Sequence, residues 1–377
     1  MSNHGNADAQ VPNGVTQDAS DPDAGSFIWR QGITDLVSVG VASSTGGRAG
    51  QDDRSQAFSF VINGAGIADS TIGTNGRYRC TVGAVLDGHH GSIVSDMASS
   101  MLPTVLTDAV RRHVADTGDL DGGIERGLQE CILQLDTATF DAYRSSSGAM
   151  TGGTTLLVMI MVLETGTVFT CNVGDCKAVV SVKGNGEALN ECHNPPVLAE
   201  KRRFEEAGVD CFMDHIGGSD INVCRTIGDY DLGPPLKWRD ESDGFSVAHG
   251  PLVCTPAISR RKLDSSDEFI VMASDGVWDY YTPESSIITD VRRHLRRFSI
   301  DGNDCTGNRD DACDGCAAWL VDASLARQRD MLHEGTPGDN VTVMFFQLRL
   351  LPRIPVASGS RLGLSQGSVG SASRMSF

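Results

Sequence analysis

The chain has 377 residues, 40% of them hydrophobic, which is enough for a substantial core in one large domain or two small ones. Its formal charge of -18 argues against non-specific attachment to nucleic acid or to an acidic membrane, since both surfaces would repel it, and favours cations or basic peptides as partners. Eleven cysteines, an odd number scattered without a paired rhythm, point to free thiols in a reducing compartment. No stretch approaches the roughly 18 apolar residues of a membrane span. The first residues lack a signal-peptide pattern, and Ser2 stands where myristoylation needs glycine. A cytoplasmic or nuclear protein is expected, and it is read as a monomer.

Residues 1–27 are polar and rich in Gly, Asn, Asp and Pro, and are expected to form a disordered leader. Residues 28–352 carry the folded domain. Its short β-type runs are Phe58 to Ile62, Cys80 to Leu86, Thr154 to Leu163, Val168 to Asn172, Phe269 to Ala273 and Val341 to Gln347, separated by Gly and Asp turns. Helical spacing runs over roughly 92–114, with Pro103 a candidate break, and through Ile124, Leu128, Ile132 and Leu135. It returns in Ile287, Val291, Leu295 and Phe298, where Thr282 and Pro283 read as an N-cap and first turn. Strands cluster early, middle and late with helical pairs between them, which predicts an α+β fold rather than a doubly wound parallel sheet. Residues 353–377 are Ser/Gly-rich, contain arginines and no acid, and read as a solvated tail.

One pattern recurs: an apolar strand that ends in, or starts from, an Asp beside a Gly. It occurs in VGAVLDGH at Asp87, FTCNVGD at Asp175, FIVMASDG at Asp275 and GDNVTVMFF at Asp339. A single Asp-Gly after a strand is ordinary turn chemistry. Four carboxylates converging on one sheet edge would repel one another and take up protons unless cations sat among them. With no Cys/His pair at zinc spacing beside them, these oxygen donors suit hard ions such as Mg²⁺ or Mn²⁺. Two such ions can hold a bridging water, lower its pKa and place it in line with a phosphoryl group.

In this setting the motifs GRAGQDDRSQAF, LDGHHGS, GGTTLLV with NVGDCKAVV, CRTIGDYDL, ASDGVWD and GDNVTV, in this order over roughly residues 38–350, resemble those of the metal-dependent protein serine/threonine phosphatases, also called protein phosphatase 2C. The resemblance implies a four-layer αββα sandwich of two antiparallel sheets between helix pairs. It implies hydrolysis of phosphoserine and phosphothreonine in phosphorylated protein substrates by a water held between two Mg²⁺ or Mn²⁺ ions, with a looser third site. In that scheme Asp87 bridges both ions and the Gly88 carbonyl binds one. Asp275 and Asp339 complete the other, Asp52 and Asp53 bind the second ion or hold its waters, and Asp175 and Asp279 join Asp275 at the third site. Arg48 corresponds to the arginine that binds phosphate, with a guanidinium fork suited to two phosphate oxygens. His89 corresponds to the general acid that protonates the leaving oxygen. A catalytically silent binding or regulatory module is the alternative, although Asp87, Asp275 and Asp339 are all present. A small-molecule phosphatase using the same ions is a third reading.

Several positions depart from the family pattern. His90 stands where Gly or Ala is usual, so it is expected to narrow access or to add a second titrating imidazole. Cys176 adjoins Asp175, as a site where oxidation weakens metal binding or as an inert buried thiol. ECHNPP replaces the usual DH before a Pro-rich turn. Residues 210–262 correspond to the variable flap that selects substrates. Cys313 and Cys316 form a lone CxxC, read as two thiols on a helical turn, and the acidic run Asp301 to Asp314 is read as an exposed loop.

Overall fold

A computed structural model describes residues 37–348 apart from 65–75, 213–214, 282, 284, 301–308 and 334–335, with the backbone alone for 298–300 and 309–311. The leader, the tail and the Thr282 cap therefore lie outside the described residues. Strands β1 (Val37–Ser44), β2 (Arg54–Asn63), β3 (Arg77–Leu86) and β4 (Gly88–His89) lead into the long helices α1 (Ile93–Thr117) and α2 (Leu120–Ser145). Next come β5 (Gly153–Thr154), β6 (Leu156–Val162), β7 (Thr167–Val173), β8 (Lys177–Val182) and β9 (Asn185–Ala188), followed by α3 (Leu198–Glu206), β10 (Ile227–Gly228) and β11 (Ala257–Lys262). The chain closes with β12 (Asp267–Ala273), α4 (Asp275–Trp278), α5 (Ser285–Ile300), α6 (Arg309–Met331) and β13 (Val341–Leu348).

Two five-stranded sheets result, in the orders β1-β13-β12-β8-β9 and β11-β7-β6-β3-β2, and a small three-stranded sheet, β10-β5-β4, sits beside them. All of these strand pairs are antiparallel. Alternation along each central strand sorts its side chains between two cores. In β6, Leu156, Val158, Ile160 and Val162 meet α1 and α2, whereas Leu157, Met159 and Met161 meet the other sheet. In β13, Val341, Val343 and Phe345 meet α5 and α6, and Met344 and Phe346 fill the space between the sheets. A strand covered on both faces needs an unbroken apolar run, and LLVMIMV supplies one. The layers are helix, sheet, sheet, helix, the αββα sandwich expected.

Glycines set two close approaches. A Cβ at Gly40 of β1 would lie 2.1 Å from the Cys313 carbonyl oxygen, and Cβ atoms at Gly123 and Gly127 of α2 would lie 2.6 Å from Val114 and Val110 of α1. Cys313 and Cys316 are fully buried under that contact, two core thiols on a helix.

Three expectations are corrected. α1 runs straight through Pro103 to Thr117, because packing of Leu102, Leu106 and Val110 into the core outweighs one lost backbone hydrogen bond. Of the acidic run read as a loop, 309–314 open α6 and Asp314 is buried, while 301–308 lie outside the described residues. Residues 257–262, read as flap, are the edge strand β11, paired with β7 from Ala257↔Asn172 to Lys262↔Thr167. The remainder of the flap packs against Phe204 of α3 and Val209, forming a small core with Cys211, Ile216, Cys224, Leu236 and Leu252.

Candidate metal centre

The Asp-Gly pattern becomes a site because the strand ends it marks meet at one end of the sandwich. A cleft of about 410 Å³ there is lined by Arg48, Asp52, Asp87, Gly88, His89, Asp175, Asp275 and Asp339, with the flap residues Asp220–Val223 on its wall. Asp87 follows β3 directly. Its N–H donates to Thr155 Oγ1 (3.1 Å) and its carbonyl accepts from Thr155 N–H (2.8 Å) and Thr154 Oγ1 (3.1 Å). These bonds explain why the run expected as one strand from Thr154 to Leu163 is broken at Thr155. Gly88 is constrained sterically as well as chemically, since a Cβ there would lie 2.5 Å from the Asp52 carbonyl oxygen.

The loop before β2 separates two neighbours that look equivalent in sequence. Asp53 is 3% exposed; one of its oxygens accepts from Ser274 Oγ (2.9 Å), and the other, Oδ1, is buried without a partner among the described residues. Asp52 instead lines the cleft and is held through its backbone, with its N–H on Asn340 Oδ1 at 2.8 Å. Asn340 also donates to the Thr45 and Gly50 carbonyls, so one amide pins the loop of Arg48, Asp52 and Asp53 to the start of β13. Arg48 lies at the rim, its Nη2 3.1 Å from Asp339 Oδ2 and its Nε on the Gly338 carbonyl (3.2 Å). Asp275 opens α4, and its carbonyl accepts from Asp279 N–H at 2.9 Å.

The electrostatics are those of an acid cluster lacking counter-charge. Burial, then repulsion from Asp53, Asp275 and Asp175, holds Asp87 well above the carboxylate range. Burial followed by Asp175, Asp339 and Asp279 does the same to Asp275. Burial pushes Asp53 up to about 6, with Asp339 adding repulsion, and pushes Asp175 up to about 6, with Asp279 adding its own. Asp279 is raised by burial and then by Asp339. Such groups ionise together only around cations. An oxygen-only donor set with an orphaned buried carboxylate oxygen fits hard divalent ions. A second cavity, of about 610 Å³, shares Asp175 and Asp275 with the cleft and extends to Asp279, Lys177, Trp278 and Tyr281, so Asp279 lies beside the cleft rather than in its lining.

His89 reaches the cleft from β4, with its side chain 22% exposed. Its Nε2 donates to Asp229 Oδ1 at 2.8 Å, with Oδ2 at 3.0 Å. Burial opposes a charged imidazole, but the buried Asp229 carboxylate outweighs it and the His89 pKa is raised. Asp229 belongs to the motif CRTIGDYDL, yet nothing in the sequence singled it out; a strained left-handed backbone (φ 60°) at a non-glycine is visible only in three dimensions. His90, also left-handed at φ 57°, lines the cleft and pairs with Asp220 of the flap (Nε2 to Oδ1, 2.8 Å). Cys176 is fully buried and shares a hydrogen bond with Thr155 Oγ1, and burial followed by Asp87 and Asp175 raises its thiol far above the ordinary range, which disfavours the reactive thiolate. Away from the cleft, Asp240, Asp243 and His249 bring three ligand-type atoms together in the flap. Turn capping and an Asp243–His249 bond of 2.8 Å account for that cluster.

Comparison with known proteins agrees with this geometry. The family model described as protein phosphatase 2C matches residues 48–314. "Probable protein phosphatase 2C 22" of Arabidopsis thaliana is 29% identical over 313 residues, 83% of this chain and 69% of the relative. "Protein phosphatase 2C homolog 2" of Saccharomyces cerevisiae is 26% identical over 206 residues, 54% of this chain and 40% of the relative. The chain thus spans about two thirds or less of these relatives' length. In fold, it is similar to the crystal structure of serine-threonine phosphatase 2C from Toxoplasma gondii, with a TM-score of 0.60 at 16% identity over 86% of this chain and 98% of the other. Motifs, layers and the acid-lined cleft converge with these matches: the chain belongs to the protein phosphatase 2C family of protein serine/threonine phosphatases.

Proposed function

We propose that this chain removes phosphate from phosphoserine and phosphothreonine in protein substrates and uses Mg²⁺ or Mn²⁺ to do so. The observation that carries the reading is the convergence of the buried Asp53 and Asp175 and the half-buried Asp87 and Asp275 at one end of the sandwich, each driven above its ordinary pKa by loss of hydration and by neighbouring aspartates. Asp87, the Gly88 carbonyl, Asp275 and Asp339 would hold the ions with Asp52 and Asp53, and Asp175 and Asp279 would serve a third, looser position. When bound, such ions supply Lewis acidity and a water acidified toward neutral pH.

The remaining work falls to side chains of this chain. Arg48 spends two of its five N–H donors on Asp339 and Gly338 and presents the rest of its fork at the rim, where a phosphoryl group can be bound and oriented. His89, its imidazolium favoured by Asp229, gives a proton to the departing seryl or threonyl oxygen, which is a poor leaving group without one. The flap wall at Asp220–Val223 lies where the substrate's flanking residues would pass.

Purified protein is expected to release phosphate from a phosphothreonine peptide with millimolar Mn²⁺ or Mg²⁺, and a chelator to stop it. Full turnover in excess EDTA would end this mechanism, and faster turnover of a sugar phosphate than of the phosphopeptide would move the substrate class to small molecules.

A further inference from the structure

We infer that Asp229 is the positioning residue of the leaving-group acid, and that a buried ionic cluster reaching back to α2 holds it in place; this rests on the reading of His89 as that acid. His89 and Asp229 lie 140 residues apart in sequence, yet the imidazole Nε2 sits within hydrogen-bond distance of both oxygens of a carboxylate whose side chain is 0% exposed. With Nε2 committed, Nδ1 is the ring nitrogen without a hydrogen-bond partner among the described residues, on a side chain that still reaches the cleft. Asp229 thereby sets the plane of the ring and keeps a proton on Nε2, so the proton given to substrate is the one on Nδ1.

The carboxylate is itself built in. Its backbone N–H donates to the Gly152 carbonyl (2.9 Å), and a Cβ at Gly153 would lie 2.2 Å from Asp229 Oδ2, so the GG pair leaves room for the acid. Both chain neighbours of Asp229 are tied to one residue, Asp136 of α2. The Gly228 N–H donates to Asp136 Oδ1 (3.2 Å) and the Tyr230 hydroxyl to Oδ2 (2.6 Å). Lys237 Nζ (2.9 Å) and Arg239 Nη2 (3.1 Å) complete the shell around that carboxylate. Side chains of Asp136 and Lys237 are 0% exposed, and an ionic cluster buried this deeply, outside the lining of the cleft, needs a reason beyond stability, since such clusters are weak stabilisers. Holding a left-handed Asp at a fixed place supplies that reason, because an unsupported non-glycine residue leaves that backbone region.

The test compares kcat for a phosphothreonine peptide with kcat for p-nitrophenyl phosphate, whose leaving group needs little protonation, in Mn²⁺-supplied enzyme. Wild type, His89→Ala, Asp229→Ala, Asp229→Asn and His89→Ala/Asp229→Ala are measured. Asp229→Ala is expected to lower kcat for the peptide by about 10²-fold with little change in KM, to lower kcat for the aryl ester far less, and to cost nothing more once His89 is absent. Asp229→Asn, which keeps the shape of the side chain, should lie between wild type and Asp229→Ala, and thermal unfolding identifies a variant that fails by misfolding. Equal slowing of both substrates by folded Asp229→Asn, or an additive loss in the double variant, overturns the positioning role alone. Equal slowing of both by His89→Ala overturns the reading of His89 as the acid and this inference with it.

Discussion

If the carboxylates of the cleft repel one another as strongly as their burial implies, the metal-free protein should lose stability as pH rises, and divalent ions should return it. Asp53 and Asp175 sit at about 6 against an ordinary 3.8. A difference of about two units corresponds to about 3 kcal/mol for each carboxyl. Their sum is an upper bound, because repulsion from Asp339 is shared by both. The folded pKa lies above the unfolded one, so the folded state binds these protons more tightly. Stability is therefore greatest while they are protonated, and it falls as pH rises from about 4 through 6. Asp87 and Asp275, pushed higher, carry the loss to more alkaline pH. Ions bind the ionised acids only, so their stabilisation should grow over the same range and reach about 3 kcal/mol at a hundredfold excess over Kd. In a domain of this size that is a rise in Tm of about 4–5 °C. Calorimetric scans at pH 5 and pH 8, with EDTA or with millimolar Mn²⁺, measure all four corners. A Tm unmoved by Mn²⁺ at pH 8, or a shift equally large at pH 5, would refute the reasoning.

Three substitutions probe separate parts of the same structure. Asp87→Asn removes an acid repelled by Asp53, Asp275 and Asp175 and should lower phosphopeptide turnover by about 10³-fold or more while raising the Tm of the EDTA-treated protein at pH 8; a lowered Tm would show that repulsion is not what governs Asp87. Lys237→Met strands the Asp136 carboxylate and should cost about 3–5 kcal/mol in urea unfolding, whereas a loss below about 1 kcal/mol would mean that Arg239 alone neutralises it. Gly40→Val drives a side chain into the Cys313 backbone and should destabilise the β1–α6 contact by several kcal/mol; unchanged stability would mean that α6 shifts freely.

How far these features could be read in advance depends on whether a residue's role is local. β3, β6, β7, β12 and β13 are legible because burial on both faces demands continuous apolar runs, and the Asp-Gly signature is legible because each strand end carries it independently. β11 reads as flap because AISRRK is an edge strand whose outward side chains are arginines and lysine; only its partner β7 makes it a strand. Asp52 and Asp53 cannot be told apart on paper, since adjacent residues before a strand differ only in which one the sheet edge covers.

Asp136 and Asp229 are the least legible residues, and for one physical reason. An Asp in mid-helix ordinarily reads as solvent-facing, and an Asp in a GDYD turn as turn chemistry, and each reading holds until a partner about a hundred residues away is brought against it. Lys237 lies 101 positions from Asp136, and His89 lies 140 from Asp229. The cleft aspartates can be recognised as a set because the same pattern, an acid beside a glycine at a strand end, recurs four times along the chain. A positioning carboxylate is defined by what it touches, so it leaves no repeated mark. The site is accordingly divided between a repeated acidic signature that only its recurrence betrays and a single buried relay, from α2 through Asp136 and Asp229 to His89, that emerges only when the sandwich closes around it.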